Sequence, residues 1–117
     1  MEFDKEILKG YIDSIVLSVL YDEDMYGYLI ARKIKEKCKE EFEMKEATLY
    51  VSLKRLEKKG YLKGYWNDKE GTSGGRRRYY SITKDGLNYF MKSLDEWNAL
   101  KRILNYFMRG SLNEENR

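Results

Sequence analysis

The chain has 117 residues, enough for one domain with a real core and too few for two. It carries a net charge of +3, no histidine, no proline and a single cysteine, Cys38. Without histidine there is no Ser-His-Asp or Cys-His nucleophile. One cysteine supplies neither an internal disulfide nor a zinc cluster, so no metal ligand set and no cofactor are expected. The small net charge conceals a strong division: residues 1–27 sum to −5, residues 28–84 to +8 and residues 85–117 to zero. A basic middle between acidic and neutral ends suits a face that meets a polyanion. The N-terminus is acidic and no apolar run approaches ~18 residues, so neither a signal peptide nor a membrane span is indicated, and a cytoplasmic protein is expected.

In chain order, Asp4 to Leu20 has apolar residues at Leu8, Ile12, Ile15, Val16 and Val19, with a second line of Ile7, Tyr11 and Ser14. This spacing predicts a first helix with two occupied faces. Tyr21 to Asp24 is a polar break that offers Asp24 as an N-cap, and Tyr26, Leu29, Ile30, Ile34 and Cys38 then mark a second helix. Cys38 is in step with Ile30 and Ile34, which makes it a small core residue. Phe42 to Met44 offers a short extended piece.

The third helix runs from about Glu46 until Gly60 ends it as a C-cap. Leu49, Leu53 and Leu56 form its buried stripe, which leaves Ala47, Thr48, Tyr50, Val51, Lys54, Arg55 and Lys58 pointing outward. That face mixes cations, which phosphates require, with short side chains that fit against base edges in a major groove. Thr48, Tyr50, Val51 and Lys54 are therefore candidates for base contact, and Arg55 and Lys58 for the DNA backbone. Tyr61 to Trp66 and Arg76 to Ile82 are aromatic-rich strand candidates around the loop Asn67 to Gly75. They make a two-stranded hairpin in which Arg76 and Arg77 grip backbone or minor groove, while Tyr80 and Ile82 face the core. The glycines from Gly71 to Gly75 are a hairpin tip and not a nucleotide loop.

Thr83 can cap a fourth helix, with Asp85 in its first turn, that continues to about Met108 before Gly110 ends it. At ~1.5 Å per residue it spans about 40 Å, more than a small winged core needs. Leu87, Phe90, Leu94, Trp97, Leu104 and Met108, with Leu100, Ile103 and Phe107 alongside, make a stripe wide enough for two partners: the first helix and a second copy of the chain. The fold class is thus mainly α with a small β-hairpin: a winged helix-turn-helix plus a long C-terminal dimerisation helix. Residues 1–82 would bind DNA, 83–109 dimerise and 110–117 form a flexible tail.

Several motifs occur together in order. Tyr26-Gly27-Tyr28 opens the second helix; Ala47-Thr48-Leu49-Tyr50, Leu53, Arg55-Leu56-Glu57 and Gly60 mark the third; Gly75 to Thr83 with Gly86 leads into the fourth. This set resembles the PadR family of transcriptional regulators, bacterial winged-helix repressors, over nearly the whole chain. Many members carry a proline where this chain has Val51, a departure that bears on which operator is read. The single C-terminal helix looks like the short branch that contains multidrug-responsive repressors. The resemblance implies a homodimer on a palindromic operator of double-stranded DNA, with fourth helices crossing and a mid-helix tryptophan, here Trp97, stacking on planar aromatic compounds. Leu94, Asn98 and Lys101 would neighbour such a ligand from one helix, and Ile7, Gly10 and Ser14 from the other. Asp13 or Glu6 is the nearest acid, and with Lys101 one turn beyond Trp97, neutral or anionic ligands are as suitable as cationic ones. A seam filled by packing and a winged helix that docks a protein partner both stay open, whereas no constellation for an enzyme is found.

Overall fold

The computed structural model describes residues 4–67 and 76–115. The expected hairpin tip therefore lies outside the described residues, as does the end of the tail. In order come a 3₁₀ helix (Lys5–Tyr11), α1 (Ile12–Asp22), β1 (Met25–Tyr26), α2 (Gly27–Lys37), α3 (Glu46–Lys58), β2 (Leu62–Asn67), β3 (Arg77–Ile82) and α4 (Lys84–Glu115). The class is as expected, mostly helical with a small antiparallel sheet.

The elements differ from expectation in five places. The first helix is divided, with Gly10 and Tyr11 at the junction, because an interior glycine weakens a helix by about 1 kcal/mol relative to alanine. Asp24 does not cap α2, which starts at Gly27 with Tyr26 as an N-cap that makes no side-chain bond. Its carboxylate accepts the Tyr65 hydroxyl at 2.6 Å instead. The sheet has three strands in the order β1-β3-β2, since Met25 and Tyr26 pair with Tyr80 and Tyr79. Phe42 to Met44 forms no strand, although Met44 is buried. Finally, α4 runs through Gly110 to Glu115. A lone glycine stops a helix only where the backbone turns to positive φ, as it does at Gly60.

Gly60 closes α3 in a Schellman arrangement: at φ +81° it donates its amide to the Glu57 carbonyl (3.0 Å), and the Tyr61 amide reaches the Leu56 carbonyl (2.9 Å). The core collects Val16, Leu17, Val19 and Leu20 of α1, Ile30 and Ile34 of α2, Leu49, Leu53 and Leu56 of α3, and Met25, Leu62 and Tyr80 of the sheet. Cys38 lies outside it, half-buried, with its thiol on the Phe42 carbonyl at 3.2 Å. Thr83 joins the sheet to α4. Its hydroxyl donates to the Gly60 carbonyl (2.6 Å) and accepts the Gly86 amide (3.0 Å), which is the expected N-cap.

The rod α4 has 32 residues and so spans about 48 Å. It stretches the chain to 67 × 31 × 21 Å, with a radius of gyration of 17.6 Å. A compact domain of this length has ~13 Å.

The start of α4 lies directly on the chain that leaves α3. A methyl group on Gly86 would run into the Tyr61 carbonyl oxygen, whereas one on Gly10 meets nothing within 4 Å. Gly86→Ala should lose about 1–3 kcal/mol or more, because backbone cannot yield as a side chain does. Gly10→Ala should be neutral or gain up to about 1 kcal/mol. Urea denaturation at equal protein concentration distinguishes the two.

Candidate nucleic-acid interface and apolar groove

The outward residues of α3 divide into a central row and two flanks. Opposite the buried stripe lie Ala47, Val51, Lys54 and Lys58, at i, i+4, i+7 and i+11, all exposed. Lys54 and Lys58 make no ion pair among the described residues, so their charge is available to a phosphate. Thr48 and Arg55 lie on the flank nearest α1, where a shallow recess is bordered by Lys9, Ile12, Ala47 and Val51. Tyr50 and Glu57 form the other flank. The Tyr50 hydroxyl comes within 2.6 Å of where a side chain on Gly27 would begin, and Glu57 accepts Arg78 of β3 at 2.6 Å.

Arg55, expected on the DNA backbone, is bound within the chain. Its Nε and a terminal nitrogen donate to the two Asp13 oxygens at 2.9 and 2.5 Å. Asp13 Oδ1 also accepts the hydroxyl of Ser52, which is 0% exposed, at 2.7 Å. Burial pushes the Asp13 carboxyl up, but the bonds from Arg55 and Ser52 and the charges of Arg55 and Lys59 outweigh it, so its pKa lies below the ordinary 3.8. The Arg55 guanidinium is held charged by the same contact. Part of its positive charge is thereby spent inside the protein.

The wing arginines do not act as one cluster. Successive strand residues point to opposite faces, and the register pairs Trp66 with Arg78 and Asn67 with Arg77. Arg77 lies on the outer face, its guanidinium 4.7 Å from the Tyr26 ring centroid. On that face Tyr65 stacks on Tyr79 (5.9 Å), and its hydroxyl pKa is pushed up to about 12, chiefly by the bond to Asp24. Arg76 and Arg78 lie against Trp66, at 4.9 and 5.4 Å from the ring centroid. Tyr80 is buried, which raises its hydroxyl pKa, and Ile82 packs against the core, both as expected.

Between the N-terminal helices and α4 lies an apolar groove of about 470 Å³. Ile7, Leu8, Tyr11, Ser14, Ile15 and Ser18 form one wall, and Phe90, Ser93, Leu94, Trp97 and Leu100 the other. Of the ligand candidates, Ile7, Ser14, Leu94 and Trp97 thus come together. Gly10, Asn98 and Lys101 do not line the groove, although the Lys101 ammonium sits 4.1 Å from the Trp97 ring centroid. Asp13 is displaced altogether, being in step with buried Val16, Leu17 and Leu20 and turned toward α3. Glu6 pairs with Lys9 at 2.9 Å, and among the described residues no carboxylate lines the groove. Beyond it the rest of the expected seam lies bare: Leu104, Phe107 and Met108 are 43%, 66% and 67% exposed, while Leu87 and Phe90 are half-buried against the protomer. Sequence reasoning missed the tie from Asp13 to Ser52, whose signal was the i, i+3, i+4 step with the core, and passed over Trp66.

Three packed helices, a recognition-type third helix and an arginine-bearing hairpin define a winged-helix regulator of the DNA-binding class. Residues 16–92 match the model of the Transcriptional regulator PadR-like family. The chain belongs to this family, and is therefore a transcriptional regulator rather than an enzyme. It is similar to a transcriptional regulator from Clostridium thermocellum, at 39% identity and a TM-score of 0.82 over 91% of this chain and 98% of that one. A PadR family transcription regulator from Clostridium difficile is 41% identical, with a TM-score of 0.74 over 85% and 99% of the two chains. An uncharacterised protein from Lysinibacillus sphaericus is 40% identical over 90% of this chain and 94% of its own. Among the described residues no helix is long and apolar enough to cross a membrane.

The depressed Asp13 carboxyl contributes stability above about pH 4, its unfolded value, and that contribution is lost as pH falls through the lower folded value. Asp13→Asn should cost about 1 kcal/mol at pH 7, a figure that allows for solvent at Arg55. The gap from wild type should shrink as urea melts are taken below pH 4. A gap independent of pH would mean that shape and not charge is what Asn fails to supply.

Proposed function

We propose that the chain is a sequence-specific repressor that acts as a homodimer on a palindromic operator and is released by planar aromatic compounds held beside Trp97. The observation that carries the DNA reading is the central row of α3. Two lysines, unpaired among the described residues, and two small side chains face away from the core on the side of the helix opposite its buried stripe. In the major groove, Val51 and Ala47 would meet base edges, notably thymine methyls, Lys54 would reach bases or phosphate, and Lys58 phosphate. Thr48 and Tyr50 border the same groove, Arg55 offers the donors that Asp13 leaves, and Arg76 and Arg77 engage backbone from the wing.

Residues 1–82 thus do the reading and 83–109 the pairing. The bare apolar side of α4 supports the dimer, since a stripe of this size is rarely left in water. Two copies joined along their rods present two α3 helices to successive major grooves. The groove at Trp97 supports the ligand. It is open and apolar, no carboxylate lines it among the described residues, and the Lys101 cation sits on the Trp97 ring, which favours neutral or anionic flat molecules over cationic ones. A ligand that prefers a rod spacing unsuited to the operator weakens DNA binding by its differential affinity for the two spacings.

Fluorescence anisotropy against operator and random duplexes over a salt series tests the DNA reading. Arg76→Ala should weaken both duplexes alike and reduce the salt slope by about 1, while Val51→Ala should change which duplex is preferred. Equal loss from both variants would overturn the division of roles. Sedimentation should give a dimer, and Phe107→Glu should shift it toward monomer and abolish tight operator binding. Flat neutral or anionic aromatics should quench Trp97 and release the operator together. Absent quenching would mean a filled seam and a regulator controlled in another way.

A further inference from the structure

Trp66, the largest apolar side chain of β2, is 52% exposed. It lies on the sheet face that carries Leu62, Gly64, Arg78, Tyr80 and Ile82, the face turned toward α3. Arg78 ties that face to α3 through Glu57 at 2.6 Å. Gly64 makes room for this, because a methyl group there would run into the Arg78 guanidinium. Two guanidinium groups, those of Arg76 and Arg78, therefore rest against one indole, and Arg78 bonds the Glu57 flank of α3. A ring flanked by cations keeps them extended at little entropic cost, and it presents both an apolar face and an N–H donor.

From this juxtaposition we infer that Trp66 is itself a DNA-contacting residue. Its ring packs on the deoxyribose of the strand that borders the groove entered by α3, its Nε1–H donates to the adjacent phosphate, and it fixes Arg76 and Arg78 beside that phosphate. The inference rests on the DNA-binding reading above and extends it to an aromatic contact with the sugar–phosphate backbone. Such a contact is indifferent to sequence. Arg77, on the opposite face against Tyr26, takes no part in it.

The test uses the full chain labelled with 5-fluorotryptophan, which gives one fluorine resonance for Trp66 and one for Trp97, assigned by the resonance missing in Trp66→Phe. Saturating operator duplex, and random duplex at low salt, should each shift the Trp66 resonance. In anisotropy, Trp66→Ala should weaken both duplexes about tenfold and Trp66→Phe both by less, since phenylalanine keeps the ring but loses the donor. A Trp66 resonance that stays in place while anisotropy reports bound DNA would overturn the inference, and so would unchanged affinity in Trp66→Ala. A loss confined to the operator would overturn the assignment to backbone. The shift is read on the wild-type chain, and Trp97→Phe gives the same assignment from the other resonance, so a Trp66 variant that folds poorly does not decide the outcome. If wild type binds no duplex at all, the repressor reading fails and the inference falls with it.

Discussion

Helix α1 has no idle side, and the rest of the structure depends on that constraint. Val16, Leu17, Val19 and Leu20 fill the core, Asp13 holds α3 through Ser52 and Arg55, and Ser14, Ile15 and Ser18, continued by Ile7 and Tyr11 of the preceding 3₁₀ helix, line the groove against α4. A close-packed interior transmits displacement and does not absorb it. Anything that entered the groove would therefore press on a helix whose far side is hydrogen-bonded to α3. The Ser52 hydroxyl makes the tie expensive to break, because it is fully buried and accepts no substitute partner from water.

The same economy shapes the basic surface. Of the excess positive charge in residues 28–84, a share is committed internally: Arg55 to Asp13, Arg78 to Glu57, Arg32 to Glu36 and Lys37 to Asp22. Exposed pairs of this kind are worth little to stability, but they determine where the field points. Lys54 and Lys58 remain on the outward row of α3, and the arginines of the wing lean on aromatic rings. Net charge alone would have described this surface poorly.

Most of the architecture was legible because helical periodicity survives without tertiary information. Leu49, Leu53 and Leu56 announce α3 and its buried side, Gly60 its end, and Thr83 the start of α4. The strand β1 was not legible, since two residues cannot display alternation and Met25 and Tyr26 are extended only because β3 offers them partners. Asp24 looked like a cap from its place in sequence, yet Tyr65, forty-one positions away, competes for it and wins. Asp13 was read with its neighbour Ser14 when one step along a helix turns a side chain by ~100° onto another face. Of the candidate sites, the row on α3 and the groove at Trp97 were within reach of pattern. The pairing of Arg55 and the separation of Arg76 from Arg77 required knowing which elements lie side by side.

Strand β3 passes into α4 through one residue, Thr83, and that residue is bonded both to the end of α3 and to the first turn of the rod. There is no linker in which a length change could be hidden. Adding or removing a single residue between Thr83 and Trp97 would turn the winged domain ~100° around the rod axis and move it ~1.5 Å along it. For a pair assembled along these rods, half-site spacing can therefore change only in discrete jumps, most of them unproductive. Under the proposed reading, a finer change of operator preference would have to come from substitutions on the outward row of α3, which leave the length of the rod untouched.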